Sequence, residues 1–426
     1  MQENRIFDPK QECMEAKDRE KYFREKIQQQ AKYTYDHSPA MKAKFDKAGV
    51  KPADIRELAD LVKIPITRKD ELIDLRKSNP PWGGLLGIDD SLLPNIFMSP
   101  GPIFDPMPIS EDENFFRKFE KTFFAAGFRK GDIAVNTWSY HMVPAGHWME
   151  EGLRRLGVTV IPMGTGNTEL QVAVLKDLKV TGWMGSCGFF MNILEQAEKM
   201  GVKPQRDFSL RTLCAGGEMG GGPMRKLFLE KYGLPSFDAY GTADTGIFAY
   251  ECSENTGMHI TEEVFVEIVD PNTGKQLGPD EVGEVVVTPF VKTYPLFRFG
   301  TGDLSCYNDR ECPCGRTSVR LPRIMGRIGD AVRVRGMFVH PRQTDEVMLK
   351  CKEIAQYQLI VTRPSTRDEM LLRIELSCEP VDREEWEGEL RKSFQNVCKV
   401  KFDAIEIVTK GTIASNSKKV LDNRVY

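Results

Sequence analysis

Strand-like and helix-like segments alternate through the middle of this chain, and this alternation is the pattern that most constrains the fold. The segments follow one another as strand 133–138, helix 145–156, strand 158–162, helix 167–178, strand 182–186, helix 189–200 and strand 210–217. Strands that alternate with helices favour a parallel sheet with helices on its faces. We therefore expect an α/β fold.

The pattern changes twice in the second half of the chain. After Cys252, two strand-like runs flank the turn DPNTG and predict a β-hairpin followed by further strand. After Gly326 the order becomes strand, helix, two strands, helix, strand, which predicts a compact α+β domain. A chain of 426 residues is too long for one ordinary core. We expect a large domain over 1–325 and a small one over 326–426.

The charge balance limits the classes of partner. The chain has 59 basic and 62 acidic residues, for a net charge of -3. This balance argues against nucleic acid or an anionic membrane as the main partner. No apolar run approaches the roughly 18 residues that span a bilayer, and the first 23 residues are rich in charge. We expect a cytoplasmic protein.

Ten cysteines in a chain of this length do not form a disulfide scaffold, and clustered thiols in a reducing compartment are better explained by a metal. Six cysteines stand alone in the sequence, and we expect them to be small core residues. They are Cys13, Cys187, Cys214, Cys351, Cys378 and Cys398.

Six motifs occur in a characteristic order along nearly the whole chain. They are DHSPAMKAKFDKAGVKPADI, LGVTVIPMGTGNTELQ, YGTADTGIFAYEC, RFGTGDLS, CPCGRTSVRLPRIMGRIGD and GMFVHP. With these motifs the chain resembles the phenylacetate-CoA ligase branch of the adenylate-forming enzymes. The resemblance implies a large N-terminal α/β domain with a β-rich part and a small mobile C-terminal domain. It also implies a two-step reaction: ATP and an aryl or related carboxylate form an acyl-adenylate, and coenzyme A then displaces AMP to give a thioester.

The resemblance also implies a nucleotide site. Asp303 follows a glycine turn and is expected to hold the ribose hydroxyls, although an acid in an ordinary turn is the structural alternative. Tyr240 is expected to stack on adenine and Thr242 to donate to phosphate. Asp244 is expected to bind Mg²⁺, where relatives usually carry the longer Glu. The other expected nucleotide contacts are Gly216, Gly217, Glu218 and Gly241.

Four residues match the positions of a metal site in related ligases: Cys252, His259, Cys312 and Cys314. Four N and S ligands suit tetrahedral Zn²⁺, and a fully ligated ion is structural. The alternative is a set of free cysteines with a surface histidine.

Two regions match the moving parts of the superfamily. Arg327 lies in GRIGD, where the small domain pivots, with Gly329 and Asp330 as the hinge. The segment GTIASNSKKVLD resembles the loop that carries the adenylation lysine, and either Lys418 or Lys419 would supply that lysine. A salt bridge and a solvated lysine are the respective structural alternatives.

An aromatic segment and a glycine turn are the expected acyl pocket. Trp138, Tyr140 and His141 lie in NTWSYHMVPAG, and Gly185 begins GSCGFF. Aromatic side chains lining an apolar site would suit a flat acid. Core packing explains Trp138 equally well.

The phosphate-binding loop is the main departure from the family. Relatives carry a loop of the type SSGTTGKP, whereas this chain has NIFMSPGPIFDP, with Ser99 and Gly101 but neither threonine nor lysine. Pro100 and Pro102 each remove an amide donor, and Asp105 adds negative charge. The change is compatible with a ligase that binds ATP by other means or with a protein that no longer adenylates.

Three functions remain open from the sequence. The first is an ATP-dependent acid–thiol ligase that uses Mg²⁺, coenzyme A, a small-molecule carboxylate and structural Zn²⁺. The second is a non-catalytic, zinc-stabilised nucleotide or acyl-CoA binding protein. The third is an adenylyltransferase of the coenzyme F390 synthetase type. A homodimer is the assembly we expect, although no sequence pattern specifies one.

Overall fold

The structure is a computed structural model that describes residues 5–99, 103–217, 222–330, 332–335, 337–339, 341–362, 364, 368–414 and 417–424. The helices are α1 Pro9–Glu12, α2 Ala16–His37, α3 Pro39–Lys47, α4 Lys69–Ser78, α5 Glu113–Ala126, α6 Ala145–Arg155, α7 Thr168–Asp177, α8 Cys187–Lys199, α9 Pro204–Asp207, α10 Gly222–Tyr232, α11 Pro341–Met348 and α12 Arg383–Cys398. Short 3₁₀ segments lie at Pro52–Asp54, Leu58–Lys63, Asp90–Leu92 and Ile328–Asp330.

The strands are β1 Ile96–Ser99, β2 Ile103–Pro106, β3 Ile133–Asn136, β4 Thr159–Ile161, β5 Gly182–Gly185, β6 Thr212–Gly216, β7 Ser236–Thr242, β8 Gly246–Glu251, β9 Met258–Ile260, β10 Val264–Val269, β11 Gly283–Pro289, β12 Phe299–Ser305, β13 Arg320–Leu321, β14 Gly326–Arg327, β15 Val332–Val334, β16 Met337–Val339, β17 Ile354–Thr362, β18 Glu369–Leu376, β19 Ala404–Val408 and β20 Val420–Asp422.

The central sheet confirms the predicted α/β architecture. Its eight strands lie in the order β13-β9-β8-β7-β6-β5-β3-β4. The strands from β4 to β7 are parallel, and β8, β9 and β13 continue the sheet in antiparallel pairs. In an open parallel sheet, ligands bind beyond the carboxyl ends of the strands. The end of β7 at Thr242 is therefore the natural position for a site.

Local side-chain contacts explain where several covering helices begin and end. Ser186 caps α8, since its hydroxyl accepts a hydrogen bond from the amide of Phe189 at 3.3 Å. Asn167 caps α7 in the same way through the amide of Leu170. Gly127 ends α5 in the left-handed conformation that a helix terminus favours.

A second sheet confirms the predicted hairpin. Its order is β10-β11-β12-β14, and β10 pairs antiparallel with β11, with Val264 opposite Pro289. Strand β12 then pairs antiparallel with β14, which places Asp303 directly opposite Arg327. Two motifs that are 24 residues apart in the sequence are thus cross-strand neighbours.

The C-terminal region has its own sheet and its own core. The sheet order is β19-β18-β17-β20, and β15 and β16 form a separate hairpin. Within the described ranges, the residues of this core run from Val332 to Val420. The sequence predicted one strand over 331–339, but the chain turns at Arg335, which has a φ of 49°, and forms two strands. The sequence also missed β20, which pairs parallel with β17.

The prediction that six isolated cysteines are core residues is only partly right. Cys187, Cys214 and Cys398 are buried, but Cys378 is exposed and Cys13 and Cys351 are half-buried. Cys378 follows the end of β18, where the chain leaves the sheet. Separately, none of the helices in the described ranges is long and apolar enough to cross a membrane.

A buried ion pair joins the antiparallel sheet to the N-terminal region. The guanidinium of Arg298 donates to both carboxylate oxygens of Glu267 at 2.9 and 3.0 Å, and to the carbonyls of Ile64 and Gly274 at 2.8 Å each. Both side chains are only 1% exposed. Removing one partner of such a pair leaves an uncompensated charge in the core.

We predict that Arg298→Met lowers the free energy of unfolding by about 3–5 kcal/mol, measured by urea denaturation. The matched control is Arg310→Met, because Arg310 pairs with Asp280 at 2.7 Å but the two side chains are 71% and 56% exposed. The control should cost less than about 1 kcal/mol. Equal effects of the two variants would contradict the assigned role of the buried pair.

Candidate active site

The predicted ribose acid lies in a hydrogen-bonded cluster with two other predicted nucleotide residues. The hydroxyl of Tyr240 donates to Oδ2 of Asp303 at 2.8 Å, and Nε of Arg327 donates to Oδ1 at 3.0 Å. Asp303 is 9% exposed, whereas the Arg327 side chain is 67% exposed. The structure thus brings together residues from three separate motifs.

Both sheets contribute residues to this cluster. Tyr240 belongs to the carboxyl-terminal part of β7, and Asp303 and Arg327 are paired across β12 and β14. The amide of Asp303 donates to the hydroxyl of Thr301 at 3.1 Å, which closes the turn before the acid. A carboxylate has about four lone-pair positions, so two remain for other donors.

The ring of Tyr240 is half-buried and packs edge-on against Phe248, with 4.9 Å between the ring centroids. Burial and the neighbouring Asp303 carboxylate raise the pKa of the Tyr240 phenol well above its usual value. The phenol therefore stays protonated and keeps its role as a donor to Asp303.

The predicted metal acid Asp244 lies in the tight turn that follows β7. Its side chain is only 2% exposed, and its Oδ2 lies 3.4 Å from Nζ of Lys69. Its Oδ1 is buried and has no hydrogen-bond partner among the described residues. Next to it, the hydroxyls of Thr242 and Thr245 lie 3.0 Å apart. Gly241 allows this close turn, because a Cβ there would lie 2.3 Å from the carbonyl of Gly246.

A small, largely enclosed cavity adjoins Asp244. Its lining residues are Asp105, Pro106, Pro108, Phe115, Trp148, Ala243, Asp244, Thr245, Pro289, Val291, Thr293 and Tyr294. Asp105, in β2 of the altered phosphate loop, is 2% exposed. Two buried carboxylates thus face one cavity. Residues 100–102 and the side chain of Ser99 lie outside the described part of the chain.

A larger, apolar cavity of ≈ 290 Å³ adjoins the same turn. Gly241, Thr242 and Ala243 contribute to its wall, and Trp138 closes one side. A Cβ at Gly217 would lie 2.5 Å from the Trp138 ring, and Gly217 has a φ of +75°. The other lining residues are Phe119, Val143, Pro144, Ala145, Trp148, Met149, Met184, Cys214, Gly216, Ala239, Gly246 and Ile247.

Three of the four predicted acyl-pocket residues lie outside this lining. The Tyr140 hydroxyl accepts a hydrogen bond from Nδ2 of Asn136 at 2.8 Å, which turns the ring towards α6 and His147. His141 is exposed. Gly185 faces Thr137, whose hydroxyl would lie 2.0 Å from an added Cβ. Phe119, Trp148 and Met184 were missed because they come from α5, α6 and β5, which no local motif connects.

The four predicted metal ligands lie together. Their ligand atoms are all within 4.8 Å of one another. The sulfurs of Cys252 and Cys312 are 3.7 Å apart, and the sulfur of Cys314 is 3.4 Å from Nε2 of His259. Around a tetrahedral zinc ion, with bonds of about 2.3 Å to sulfur and about 2.0 Å to nitrogen, these separations would be about 3.8 and 3.5 Å. The donor set therefore fits Zn²⁺.

Further residues orient the cluster and connect it to the N-terminal segment. Nδ1 of His259 lies 3.1 Å from the hydroxyl of Ser318, as expected for an outer partner of a metal-binding imidazole. Arg316 donates to the sulfur of Cys314 at 3.7 Å and to the carboxylate of Glu12 at 2.6 Å. The buried Arg316 side chain thus joins the cluster to α1.

The remaining predicted residues lie in the C-terminal region or outside the described ranges. Nζ of Lys419 is 2.5 Å from Oδ1 of Asp345, and Lys418 is exposed. Gly329 lies in the 3₁₀ segment Ile328–Asp330, and a Cβ on it would meet no atom within 4 Å. Glu218 and the side chain of Asp330 are outside the described residues.

Two family models and several curated relatives match this chain. Residues 117–289 match the family described as AMP-binding enzyme, and residues 336–424 match the AMP-binding enzyme C-terminal domain. The chain is 33% identical to phenylacetate-coenzyme A ligase from Thermus thermophilus over 84% of this chain and 82% of the relative. It is 32% identical to the Escherichia coli enzyme of the same name over 81% and 79%.

A solved structure gives the same fold. An open conformation of 2-hydroxyisobutyryl-CoA ligase, in complex with its acyl-AMP and CoA, superposes with a TM-score of 0.91, 23% identity, and coverage of 99% of this chain and 95% of that one. The fold is that of the adenylate-forming CoA ligases. Given the relatives above, the chain belongs to the phenylacetate-CoA ligase family.

A fully buried lysine supports the turn that carries Asp244. Nζ of Lys118, on α5, donates to the carbonyl of Thr245 and lies 4.4 Å from the centroid of the Phe115 ring. Burial lowers the pKa of Lys118 to about 7. In the unfolded chain a lysine has a pKa of about 10.4. Between these values the unfolded state binds more protons than the folded state, so this residue makes stability rise with pH.

We predict that Lys118→Met flattens the rise of unfolding free energy between pH 7 and pH 10 relative to wild type, measured by urea denaturation at several pH values. Lys21→Met, at an exposed position of α2, is the control and should keep the wild-type slope. Identical slopes for Lys118→Met and wild type would contradict the lowered pKa.

Proposed function

We propose that this protein is an ATP-dependent acid–thiol ligase. It joins a carboxylate to AMP with release of pyrophosphate, and then transfers the acyl group to the thiol of coenzyme A with release of AMP. The observation that carries the proposal is that strand β7 borders both halves of the site. Tyr240 contacts Asp303, whereas Gly241 and Thr242 line the apolar cavity. A ribose and an acyl group bound there would meet at this strand.

The ribose would bind Asp303, which retains acceptor capacity beside Tyr240 and Arg327. Arg327 is exposed enough to reorient towards ribose or phosphate. The turn at Thr242 would lie beside the α-phosphate. This arrangement orients the carboxylate for attack, because the acyl cavity opens against the same turn.

The acyl cavity favours an apolar acid. All of its described lining residues are uncharged, and aromatic or aliphatic side chains form most of its walls. A charged or strongly polar acyl group would lose hydration there without a partner. We therefore propose an aryl or similarly apolar carboxylate, in agreement with the names of the relatives.

Asp244 is the residue that would hold Mg²⁺, because its buried Oδ1 lacks a hydrogen-bond partner in the described structure and hard cations prefer carboxylate oxygen. Bound there, the ion would neutralise charge on the phosphates. Even without the ion, the turn would hold the Asp244 carboxylate beside the bound nucleotide.

The small domain would supply the adenylation lysine. We propose that the chain divides into 1–325 and 326–426 and that the segment Arg327–Asp330 is the pivot, because Gly329 has open space around its Cα. Different states of one related ligase superpose on this chain with TM-scores of 0.91 and 0.74, which supports a movable domain in such a fold. Lys419 or Lys418 would then stabilise charge at the α-phosphate.

The metal cluster would hold a structural Zn²⁺. Its four ligands leave no open position, so the ion would stabilise the fold and take no part in the reaction. We also propose a cytoplasmic location, on the charge balance of the chain, and a homodimer, which no sequence pattern specifies. Light scattering of the purified protein measures the oligomeric state directly.

The test of the function is acid-dependent exchange of radiolabelled pyrophosphate into ATP, followed by thioester formation with coenzyme A. We expect turnover with aryl and arylacetic acids and little with short polar acids. Absence of exchange with every acid, together with measurable nucleotide binding, would instead support a non-catalytic binding protein. Product that retains AMP in the presence of coenzyme A would support an adenylyltransferase.

Single substitutions distinguish the two candidate adenylation lysines. We predict that either Lys418→Ala or Lys419→Ala lowers the rate of adenylation by about 10²–10³-fold, because one positioned charge at the reacting phosphate is lost. Lys410→Ala, at an exposed position before the same loop, is the control and should keep the wild-type rate. Full activity in both Lys418→Ala and Lys419→Ala would contradict the assignment.

The zinc proposal predicts about one zinc ion per purified chain by elemental analysis. Cys314→Ser should lose the ion and reduce the free energy of unfolding by about 3 kcal/mol or more, since bound metal stabilises only the folded state. Cys378→Ser, at an exposed cysteine outside the cluster, should keep the ion. A gently purified wild-type protein without zinc would overturn this proposal.

A further inference from the structure

A lysine outside the recognised motifs lies at the phosphate side of the site. Lys69 is the first residue of α4, and its side chain is 46% exposed. Its ammonium nitrogen lies 3.4 Å from Oδ2 of Asp244, which is almost completely buried. Lys69 and Asp244 are 175 residues apart in the chain, so only the fold brings them together.

The start of α4 is held in place by the strand that carries the ribose acid. The amide of Thr67 donates to the carbonyl of Arg298 at 2.7 Å, and the amide of Gly300 donates to the carbonyl of Thr67 at 3.0 Å. Arg68 forms an ion pair with Glu284, which also accepts a hydrogen bond from the amide of Gly302 at 3.2 Å. Lys69 therefore projects from a fixed position between the turn before Asp303 and Asp244.

The carboxylates around Asp244 would repel a bound triphosphate. Asp105 and Asp244 line one small cavity, and both are at least nine-tenths buried. The loop from Asn95 to Pro106 contains no lysine or arginine. A bound triphosphate would add further negative charge next to these carboxylates. Charges of one sign repel each other in a partly desolvated site, so a positive group there favours phosphate binding.

Two arginines lie near Lys69 in the sequence: Arg68, just before α4, and Arg76 on α4. Arg68 is paired with Glu284. Arg76 is 7% exposed and donates to the Tyr294 hydroxyl at 2.6 Å. Lys69 is half-exposed and its ammonium lies against Asp244 itself, so its long, flexible stem allows it to exchange that carboxylate for a phosphate oxygen.

We propose that Lys69 is a nucleotide-binding residue that donates to the β- or γ-phosphate of ATP and replaces the lysine missing from the phosphate loop. This inference rests on the proposed function. When nucleotide enters, Lys69 exchanges Asp244 for a phosphate oxygen, and the Asp244 carboxylate becomes available to a divalent cation. The buried Asp244 carboxylate would thus be paired with Lys69 before the nucleotide binds and with the divalent cation afterwards.

The test is the affinity of the Lys69→Met variant for ATP and for AMP, measured by titration calorimetry with Mg²⁺ and again with EDTA. AMP lacks the phosphates that Lys69 is proposed to contact. We expect the Kd for ATP to rise at least about tenfold under both conditions, because one charge-assisted hydrogen bond is lost. The Kd for AMP should change less than about twofold.

Two further variants complete the design. Lys77→Met, at an exposed position in the last turn of the same helix, should bind ATP as wild type does. Lys69→Arg keeps the charge and should recover most of the ATP affinity. Thermal denaturation of each variant checks that the fold is retained.

Other outcomes would overturn the inference. Equal weakening of ATP and AMP binding would indicate that Lys69 only supports the fold. A loss of ATP affinity with Mg²⁺ but not with EDTA would indicate that Lys69 acts only through Asp244. Unchanged ATP binding by Lys69→Met would contradict the inference and leave the proposed ligase function intact, whereas a wild-type protein that binds neither nucleotide would contradict both.

Discussion

The antiparallel pairing of β12 with β14 is the contact on which the candidate site depends. It sets Asp303 opposite Arg327, so the proposed ribose acid and the first residue of the proposed pivot share a hydrogen bond. Because Tyr240 donates to the same carboxylate, the pair also connects the antiparallel sheet to β7 of the central sheet. If the small domain pivots at Arg327 as proposed, its movement would change the hydrogen bonds of Asp303.

The turn after β7 divides the site by chemistry. It borders a cavity with uncharged walls, which suits an apolar acyl group. It also carries Asp244, next to Lys69 and to the cavity that Asp105 lines. In the proposed function, the phosphates would lie near Asp244 and the apolar acid in the uncharged cavity.

Sequence patterns predicted those features that depend on residues close together in the sequence. Periodicity predicted the strands and helices of the central sheet. Motifs predicted that the four candidate metal ligands lie together, and that Tyr240, Asp303 and Arg327 do. Contacts between distant segments were not accessible in this way. Lys69 carries no motif of its own, and the acyl cavity collects side chains from α5, α6 and several strands. The hairpin at 332–339 was missed because the turn depends on the backbone conformation of Arg335 rather than on a break in hydrophobicity.

A crystal structure with a non-hydrolysable ATP analogue tests the central claim most directly, namely that the chain binds adenosine at Asp303 and directs the phosphates past Thr242 towards Asp244. We predict ribose hydroxyls within hydrogen-bond distance of Asp303, and a triphosphate that leaves the β7 turn on the side of Lys69. A nucleotide bound elsewhere on the protein, or a ribose that makes no contact with Asp303, would contradict the account.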